Sequence, residues 1–320
     1  MRDTDVLIAP LLEELEASYD GLHVVALGGG HGLAAALQAI LEYADTITAV
    51  VGVADDGGSS GRLSPGLSIP SPGDIRRALL ALSPEPSVWR RLMDFRFEGA
   101  DVAGHSLGNL IIAALTEMSG SFEDALHTVG RLLGARGAVV PAAVEPLVLE
   151  ADVDGATVQG QVAIARSRGR ITDLRVRPEG IGATRSAREA IGAADQIVLG
   201  PGSLFTSLIA GLKVPGIAEA VNASPAKLVY VCNLTTQDGE TLGLDGGEHI
   251  AALADIGGVR PPDAVVAHEG PLAVPAGLTR VSLDAGGGGW TLARGDIADP
   301  DAPWPQHDPA RLGAVLRRLA

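Results

Sequence analysis

One stretch near the start of the chain restricts the fold more than any other. An apolar strand is predicted over residues 23–27, an apolar helix over 33–43 and a β-branched strand over 46–53, which leads to Asp55 and Asp56. The first strand and the helix are joined by the glycine turn Gly28, Gly29, Gly30, His31 and Gly32. Strand, glycine turn, helix, strand and acid, in that order, are typical of a nucleotide-binding βαβ unit.

The glycine turn fits the dinucleotide fingerprint G-x-G-x-x-G only in part. Gly28 and Gly30 occupy the first two glycine positions, but Leu33 occupies the third. Asp55 follows Gly32 by 23 residues, which is near the distance expected for an acid that binds ribose. We therefore predict that residues 28–32 hold phosphate through backbone N–H groups.

The segment Ala54-Asp55-Asp56-Gly57-Gly58-Ser59-Ser60-Gly61 concentrates polar chemistry. We predict a Gly/Ser loop in which Ser59 and Ser60 donate hydrogen bonds to a ligand. Asp55 and Asp56 could grip a ribose or a divalent cation, because carboxylates suit both. The alternative is a flexible turn capped by aspartate.

Composition excludes several classes of protein. The formal charge of −15 argues against nucleic acid or an anionic membrane as the main partner. Cys232 is the single cysteine, which excludes a disulfide framework or a thiolate cluster. We found neither a signal-peptide pattern at Met1 nor an apolar run long enough to span a bilayer. We expect a cytoplasmic protein without membrane insertion, and a homo-oligomer is an open alternative.

Two further motifs supply candidate site residues, each with a structural alternative. Ser71-Pro72-Gly73-Asp74 reads as a helix start, in which Asp74 either caps the helix or faces the ligand. His105 and Asn109 are four residues apart at the start of an apolar helix, which predicts that they share one face. A buried structural histidine is the alternative there.

A second strand and glycine turn recur later in the chain. The strand is predicted over 196–199, and a helix through 212 follows the turn formed by Gly200, Pro201, Gly202 and Ser203. We predict a second anion site at that helix N-terminus. Asn233 and Thr236 follow the next predicted strand, 227–232, and are expected to line the same cleft.

The remaining segments carry less chemistry. An antiparallel excursion over about 138–178 is predicted from strands at 147–152, 157–164 and 170–176. Further predictions are an N-terminal amphipathic helix over 3–19, a helix over 88–97 whose arginines 90, 91 and 96 are solvated, a strand over 279–283 and a surface turn over 286–289. We predict an N-terminal extension, 1–21, and one domain over 22–320.

Six motifs together resemble one family. They are GGGHG at Gly28, VADDGGSSGRL at Val53, PGDIR at Pro72, GHSLGN at Gly104, GPGSLFTS at Gly200 and NLTTQDGET at Asn233. In this order they resemble the YvcK-type gluconeogenesis factors, within the superfamily that includes CofD, the 2-phospho-L-lactate transferase. HDP at His307 extends the likeness towards the end of the chain.

The resemblance implies a three-layer α/β/α Rossmann-like fold. It also implies a UDP-sugar ligand such as UDP-N-acetylglucosamine and a role that links carbon metabolism to peptidoglycan synthesis and cell shape. Three residues depart from the family pattern: His31 stands in place of Thr, Gln306 in place of Arg and Gln161 in place of Glu. The first two changes bear on which ligand is bound.

Two other functions compete with a regulatory nucleotide-sugar-binding factor. In the first, the chain is a transferase acting on a nucleotide diphosphate carrier, with Asp55 and Asp56 holding Mg²⁺ against the leaving phosphate. No cofactor is certain, and Mg²⁺ is the one that these paired acids favour. The second, an NAD-dependent dehydrogenase, is disfavoured by Leu33 and by the lack of an evident hydride-transfer acid.

Overall fold

The structure is a computed structural model that describes residues 21–283 and 289–320. The predicted helix over 3–19, and with it the predicted N-terminal extension, lies outside the described residues. The predicted surface turn over 286–289 also lies outside them, apart from its last residue.

A seven-stranded sheet forms the centre of the fold. Its strands, in the spatial order β10-β9-β8-β7-β1-β2-β3, all pair in parallel. They are β1 (His23–Gly28), β2 (Thr46–Val51), β3 (Ala138–Pro141), β7 (Gln196–Leu199), β8 (Lys227–Val231), β9 (Ala264–His268) and β10 (Thr291–Gly295). Most of these strands read as continuous aliphatic runs, because helices cover both faces of the sheet.

Strand order places a crevice beside β1. The chain passes from β1 to β2 and β3 on one side, then returns to β7 on the other side. Val25 of β1 pairs with Thr48 of β2 and with Ile197 of β7. Ligands of open α/β sheets bind where the strand order reverses in this way, outside the carboxyl ends of the strands. The turns after β1 and β7 therefore lie side by side.

Twelve helices surround the sheet within residues 21–283 and 289–320. They are α1 (Gly30–Ile40), α2 (Gly58–Leu67), α3 (Pro72–Ala81), α4 (Val88–Asp94), α5 (Leu107–Ser119), α6 (Phe122–Leu133), α7 (Gln161–Ser167), α8 (Arg185–Gly192), α9, α10 (Ile217–Ala223), α11 (Gly246–Asp255) and α12 (Pro309–Arg317). The helix α9 starts as a π-helix over Leu204–Ile209 and continues as an α-helix over Ala210–Leu212. A short 3₁₀ turn covers Ala100–Val102.

The antiparallel excursion is smaller than predicted. It comprises β4 (Val148–Val153), β5 (Ala156–Gln159) and β6 (Ile171–Arg177), with β4 in the middle. Residues 138–141 belong to the main sheet as β3. The predicted strand over 157–164 is wrong beyond Gln159, because Gly160 has φ +99 and the chain then enters α7.

Three other local predictions are corrected. The helix predicted over 88–97 ends at Asp94, because Phe95 leaves the helix and Arg96 forms an antiparallel bridge with Ser106. No strand forms over 279–283, where Arg280 makes an isolated bridge to Thr235. The strand at that edge is β10, whose half-exposed sequence, Thr-Leu-Ala-Arg-Gly, carries a weak strand signal.

Among residues 21–283 and 289–320, no single helix combines the length and apolar composition needed to cross a membrane. One pair, 204–212 with 217–223, meets that criterion only when its two members are taken together across a 73° bend.

Candidate functional site

A cavity of about 450 Å³ opens at the crevice beside β1. Eleven of the residues predicted from sequence line it: Gly29, Gly30, His31, Gly32, Asp55, Ser59, Ser60, Asp74, Asn109, Gly202 and Ser203. A volume of this size is ordinary for a small-molecule site. The other predicted residues do not line it: Gly28, Asp56, His105, Gly200, Pro201, Asn233 and Thr236.

The glycine turn after β1 leads into α1 with no side-chain cap. Gly29 is the N-cap, in extended conformation, and no acidic residue lies in the first turn. The Gly30 N–H donates to Asp74. No described acceptor takes the N–H groups of His31 or Gly32, so these donors remain for a ligand.

Gly32 brings the two glycine turns into contact. A Cβ on Gly32 would lie 2.3 Å from the carbonyl oxygen of Pro201, which is backbone and cannot rotate away. Glycine is therefore required here for close approach. This contact explains why the motif keeps a glycine at Gly32 although the usual third position is Leu33, whose side chain is buried in the core.

The Gly/Ser segment after β2 is the start of a helix rather than a loop. Gly57 is the N-cap of α2 and has no side chain with which to cap it. Asp55 Oδ1 accepts from the Gly57 N–H at 2.9 Å. No described acceptor takes the N–H groups of Gly58, Ser59 or Ser60, the first three residues of α2. All three line the cavity.

Ser59 lies at the centre of a buried hydrogen-bond network. Asn109 Nδ2 donates to Ser59 Oγ at 3.1 Å, and Arg76 Nε donates to Asn109 Oδ1 at 3.1 Å. Ser59 Oγ also lies 3.1 Å from His105 Nδ1. Burial, followed by the charges of Arg62 and Arg96, lowers the pKa of His105, which favours the neutral ring.

His105 and Asn109 do not share a helical face as predicted. The helix α5 begins at Leu107 with Ser106 as its N-cap, so His105 lies before the helix. The two side chains are nonetheless brought together, because both bond to Ser59.

The carboxylates of Asp55 and Asp56 point to different places. Asp55 lines the cavity, whereas Asp56 Oδ1 accepts from the Val162 N–H at 2.9 Å and so caps α7, the helix between β5 and β6. Asp56 thereby connects the antiparallel excursion to the segment that borders the cavity. The acidic pair that the cavity itself presents is Asp55 with Asp74.

Asp74 is not a cap for its own helix. Ser71 is the N-cap of α3 but makes no side-chain cap, and its hydroxyl donates to the Asp55 carbonyl oxygen. The Asp74 carboxylate accepts from Gly30 and forms an ion pair with Arg77. Burial and then the neighbouring Asp55 raise the pKa of Asp74, although Arg77 opposes this rise.

Three arginines that were not predicted from the sequence as ligand residues also line the cavity. Arg76 is buried and pairs with Asp94, and Arg77 pairs with Asp74. Arg96 donates to the Gly104 carbonyl oxygen at 2.6 Å. His31 lies beside them, and partial desolvation followed by the charge of Arg77 lowers its pKa. Arg96 is solvent-exposed, as predicted, and it also lines the cavity.

The second predicted anion site is already filled by the protein. Glu240 Oε2 accepts from the N–H groups of Phe205 and Thr206, both at 3.2 Å, and Glu240 Oε1 accepts from the Thr206 hydroxyl. These donors belong to the first turn of α9. Burial raises the pKa of Glu240, and the hydrogen bonds from Thr206 oppose that rise. The helix start after β7 is therefore capped internally.

Asn233 and Thr236 hold backbone behind the cavity. The Asn233 side chain accepts from Gly202 N at 3.0 Å and donates to Gly202 O at 2.9 Å, which clamps the second turn. Thr236 Oγ1 accepts from the Thr279 N–H at 2.9 Å.

Gln237 reaches the cavity instead. Its Nε2 donates to Ser203 Oγ at 3.3 Å. Its Oε1 is buried and has no hydrogen-bond partner among the described residues.

No group of three or more His, Cys, Asp or Glu side chains in the described chain is arranged to hold a metal ion. Asp55 and Asp74 supply two carboxylates, which leaves further ligands of a divalent cation to a phosphate or to water. These two residues fit a substrate-bridged Mg²⁺ better than a cation held by protein alone.

Sequence comparison identifies the family. The model of the family described as 2-phospho-L-lactate transferase CofD matches residues 24–282. The chain belongs to the CofD family. It is 42% identical over 252 residues to the gluconeogenesis factor of Halalkalibacterium halodurans, covering 78% of each chain. It is 42% identical over 309 residues to a putative gluconeogenesis factor of Mycobacterium tuberculosis, covering 92% of this chain and 89% of that one.

Solved structures show the same fold. The crystal structure of protein BH3568 from Bacillus halodurans matches with a TM-score of 0.88 and 35% identity, covering 93% of this chain and all of that one. The Rossmann-like α/β fold expected from the resemblance to the YvcK and CofD group is thereby confirmed.

The residues that depart from the family pattern lie at unequal distances from the cavity. His31 and Gln161 line it. Gln306 does not, and its side chain faces Asp299. The neighbouring His307 bonds through Nε2 to the Cys232 carbonyl oxygen at 3.1 Å, and burial lowers the pKa of His307 to about 4. His307 therefore acts as a buried structural residue that holds the end of β8.

Proposed function

We propose that this chain is a regulatory factor that binds a nucleotide-sugar such as UDP-N-acetylglucosamine in the cavity beside β1. One observation carries the proposal. The helices α1 and α2 start at the cavity with glycine N-caps and no side-chain cap, whereas α4, α5, α6, α8, α11 and α12 start with capping Ser, Thr or Asp side chains. Uncapped helix starts favour anions such as a diphosphate.

The other walls suit the rest of a nucleotide-sugar. Arg77 keeps a cationic side chain beside the N–H groups of α1, where a diphosphate would lie. Asp55 offers a carboxylate to ribose hydroxyls, as acids after a second strand commonly do. Gln237 also lines the cavity and brings a side-chain amide that can hydrogen-bond a sugar hydroxyl.

Family membership supports the physiological part of the proposal. Relatives that cover most of this chain are named gluconeogenesis factors, including the Bacillus subtilis protein at 45% identity over 232 residues. We extend that role to this chain as a link between gluconeogenic growth, peptidoglycan synthesis and cell shape, exerted by the ligand-bound protein in the cytoplasm.

Calorimetric titration with UDP-N-acetylglucosamine, with and without Mg²⁺, tests the proposal. We expect measurable binding heat for the parent protein. In Arg77→Gln the affinity should weaken roughly tenfold, because hydrogen bonds to charged groups contribute about 1.5–3 kcal/mol. Arg91→Gln is the matched control, since Arg91 lies on α4 outside the cavity. The absence of heat at millimolar ligand, in both conditions, would contradict the ligand assignment.

A second candidate function is favoured by the closeness of Asp55 and Asp74. Burial and then the charge of Asp55 raise the pKa of Asp74, and the repulsion between the two carboxylates is relieved when a divalent cation binds between them. Such a cation would neutralise the leaving diphosphate of a nucleotide carrier in a transferase reaction. In that reaction Asp55 and Asp74 would hold the cation against the diphosphate. Ser59 and the N–H groups of α2 would orient the diphosphate.

Single-turnover assays separate the two functions. With a nucleotide diphosphate carrier and Mg²⁺, a transferase would lose turnover in Asp55→Asn and keep it in Asp56→Asn, because Asp56 only caps α7. If the parent protein produces no transfer product while it binds the nucleotide-sugar, the regulatory function stands and the transferase is rejected.

A further inference from the structure

A second recess adjoins the cavity on the outer side of α3. Its volume is about 390 Å³, and it shares His31, Arg76, Arg77 and Arg96 with the cavity. The recess adds Arg90 and Asp94 to these shared residues, and its remaining walls are Ala34, Gln38, Leu80 and Ala81. Because the four shared side chains border both spaces, one ligand can extend from the cavity into the recess.

Arginine dominates this recess in a chain of strongly negative charge. Four arginines line it against one carboxylate, although the whole chain has a formal charge of −15. Three of the four are engaged by the fold. Arg76 pairs with Asp94, Arg77 with Asp74 and Arg90 with Glu85.

Arg96 differs from these three. Among the described residues it has no carboxylate partner, and its guanidinium donates only to the Gly104 carbonyl oxygen. The backbone at Arg96 is paired, because Arg96 bridges Ser106 and the N–H of Phe97 donates to the His105 carbonyl oxygen. The fold thus places one cation without a described carboxylate partner at the boundary between cavity and recess.

We propose that the recess is an acidic-substituent subsite, so that the preferred ligands are nucleotide-sugars whose sugar carries a carboxylate or phosphate group. This inference rests on the proposed nucleotide-sugar binding, because the nucleotide diphosphate anchors the ligand in the cavity. Arg96 is the specificity-determining residue, and the second, unpaired edge of the Arg77 guanidinium assists it. A neutral sugar would leave the Arg96 charge uncompensated.

The physical basis is charge complementarity in a partly enclosed space. Guanidinium groups match the planar, two-oxygen geometry of carboxylate and phosphate. Arg96 gains an anionic partner that the protein does not supply, while Arg76 and Arg77 keep theirs. The apolar faces of Ala34, Leu80 and Ala81 reduce the water that competes for the anion.

A matched pair of ligands tests the proposal. UDP-glucuronate and UDP-glucose differ only in a carboxylate or a CH₂OH group at C6 of the sugar. By calorimetry in low salt we expect UDP-glucuronate to bind roughly fivefold more tightly, a difference within the range of partly exposed arginine–carboxylate pairs. In Arg96→Gln the affinity ratio should fall to about one, whereas Arg91→Gln should keep it.

The outcomes distinguish this inference from the proposed function. If both ligands bind with equal affinity to the parent protein, the subsite is rejected and nucleotide-sugar binding stands. If the preference exists but persists in Arg96→Gln, the assigned residue is wrong and the proposal falls. If neither ligand nor UDP-N-acetylglucosamine binds, the proposed function fails and takes the subsite with it.

Discussion

The helices α2 and α9 start after the carboxyl ends of parallel strands, β2 and β7, but only the start of α9 is capped by a carboxylate of the protein. At the start of α2, Gly57 supplies no side-chain cap, and the first three residues line the cavity with no described acceptor for their N–H groups. At the start of α9, Glu240 accepts two N–H groups and a hydroxyl. Both helices follow glycine-rich turns at carboxyl ends of parallel strands.

This difference shows that a glycine turn before a helix does not by itself make an anion site. Every helix start presents about four N–H groups without intrahelical acceptors. The buried carboxylate of Glu240 accepts two of these N–H groups at α9, whereas the N–H groups at the start of α2 have no described acceptor. We infer that the open start of α2 is the functional one. The closed start of α9 instead packs against the turn after β1, through the contact between Gly32 and Pro201.

The largest effect is expected from separating the turns after β1 and β7 at that contact. In Gly32→Ala the new Cβ would collide with backbone at 2.3 Å, so the turns after β1 and β7 must move apart. We expect a loss of about 1–3 kcal/mol in the free energy of unfolding, as overpacking typically causes. Nucleotide-sugar affinity should fall about tenfold, which corresponds to ~1.4 kcal/mol.

Urea unfolding and calorimetry measure these two quantities. Gly192→Ala is the control, because its Cβ meets nothing within 4 Å and glycine is unfavourable in a helix. If Gly32→Ala keeps both stability and affinity, the two turns are not coupled.

A comparable loss of stability is expected from opening the closed end. In Glu240→Ala the N–H groups of Phe205 and Thr206 lose their acceptor inside the protein, which costs about 2–3 kcal/mol. The same change creates a second open helix start. Added sulfate should therefore raise the melting temperature of Glu240→Ala more than that of the parent protein. Equal sulfate responses would show that α9 cannot bind an anion even when Glu240 is removed.

A smaller, pH-dependent effect is expected when only the charge is removed. Burial raises the pKa of Glu240 in the folded protein above its ordinary value, so folding favours the protonated form. Stability from this group is present at low pH and is lost as the pH rises through the folded pKa. Glu240→Gln keeps hydrogen-bonding groups but does not titrate. Its stability relative to the parent should therefore increase from pH 4 to pH 7 in urea unfolding, and a constant difference would contradict the shift.

Sequence alone predicted the open end well because its signals are local. The glycine turn at 28–32, the following apolar helix and the acid after β2 all lie within one short segment, and their order specifies a βαβ unit. His105 and Asn109, which contact Ser59, were also predicted from the sequence as site residues, although their contacts with Ser59 were not.

The closed end could not be predicted because it depends on tertiary contacts. Glu240 is 35 positions from Phe205 in the chain, and no local pattern relates them. The divergence of Asp55 from Asp56 likewise depends on where α7 docks. The cavity-lining position of Arg96 was missed for the same reason, because the helix predicted over 88–97 ends early and the chain turns back at Ser106.

The smallest effect is expected from closing the open end. Gly57→Ser places a capping hydroxyl at the start of α2, where the backbone is already extended. A Cβ there lies 3.1 Å from Asp55 Oδ1, so only a slight shift of that carboxylate is needed. Stability should rise by a few tenths of a kcal/mol, as replacing glycine by serine at an N-cap does.

Affinity should change in the opposite sense. The serine hydroxyl competes for N–H groups that the ligand needs, so calorimetry should show roughly threefold weaker binding, about the value of one hydrogen bond. Ser121→Ala is the reciprocal control at α6, distant from the cavity: it should lose about 1 kcal/mol of stability and keep its affinity. If Gly57→Ser gains stability and binds the nucleotide-sugar as tightly as the parent, the ligand does not use the start of α2. The diphosphate would then have to rest on α1 and Arg77 alone.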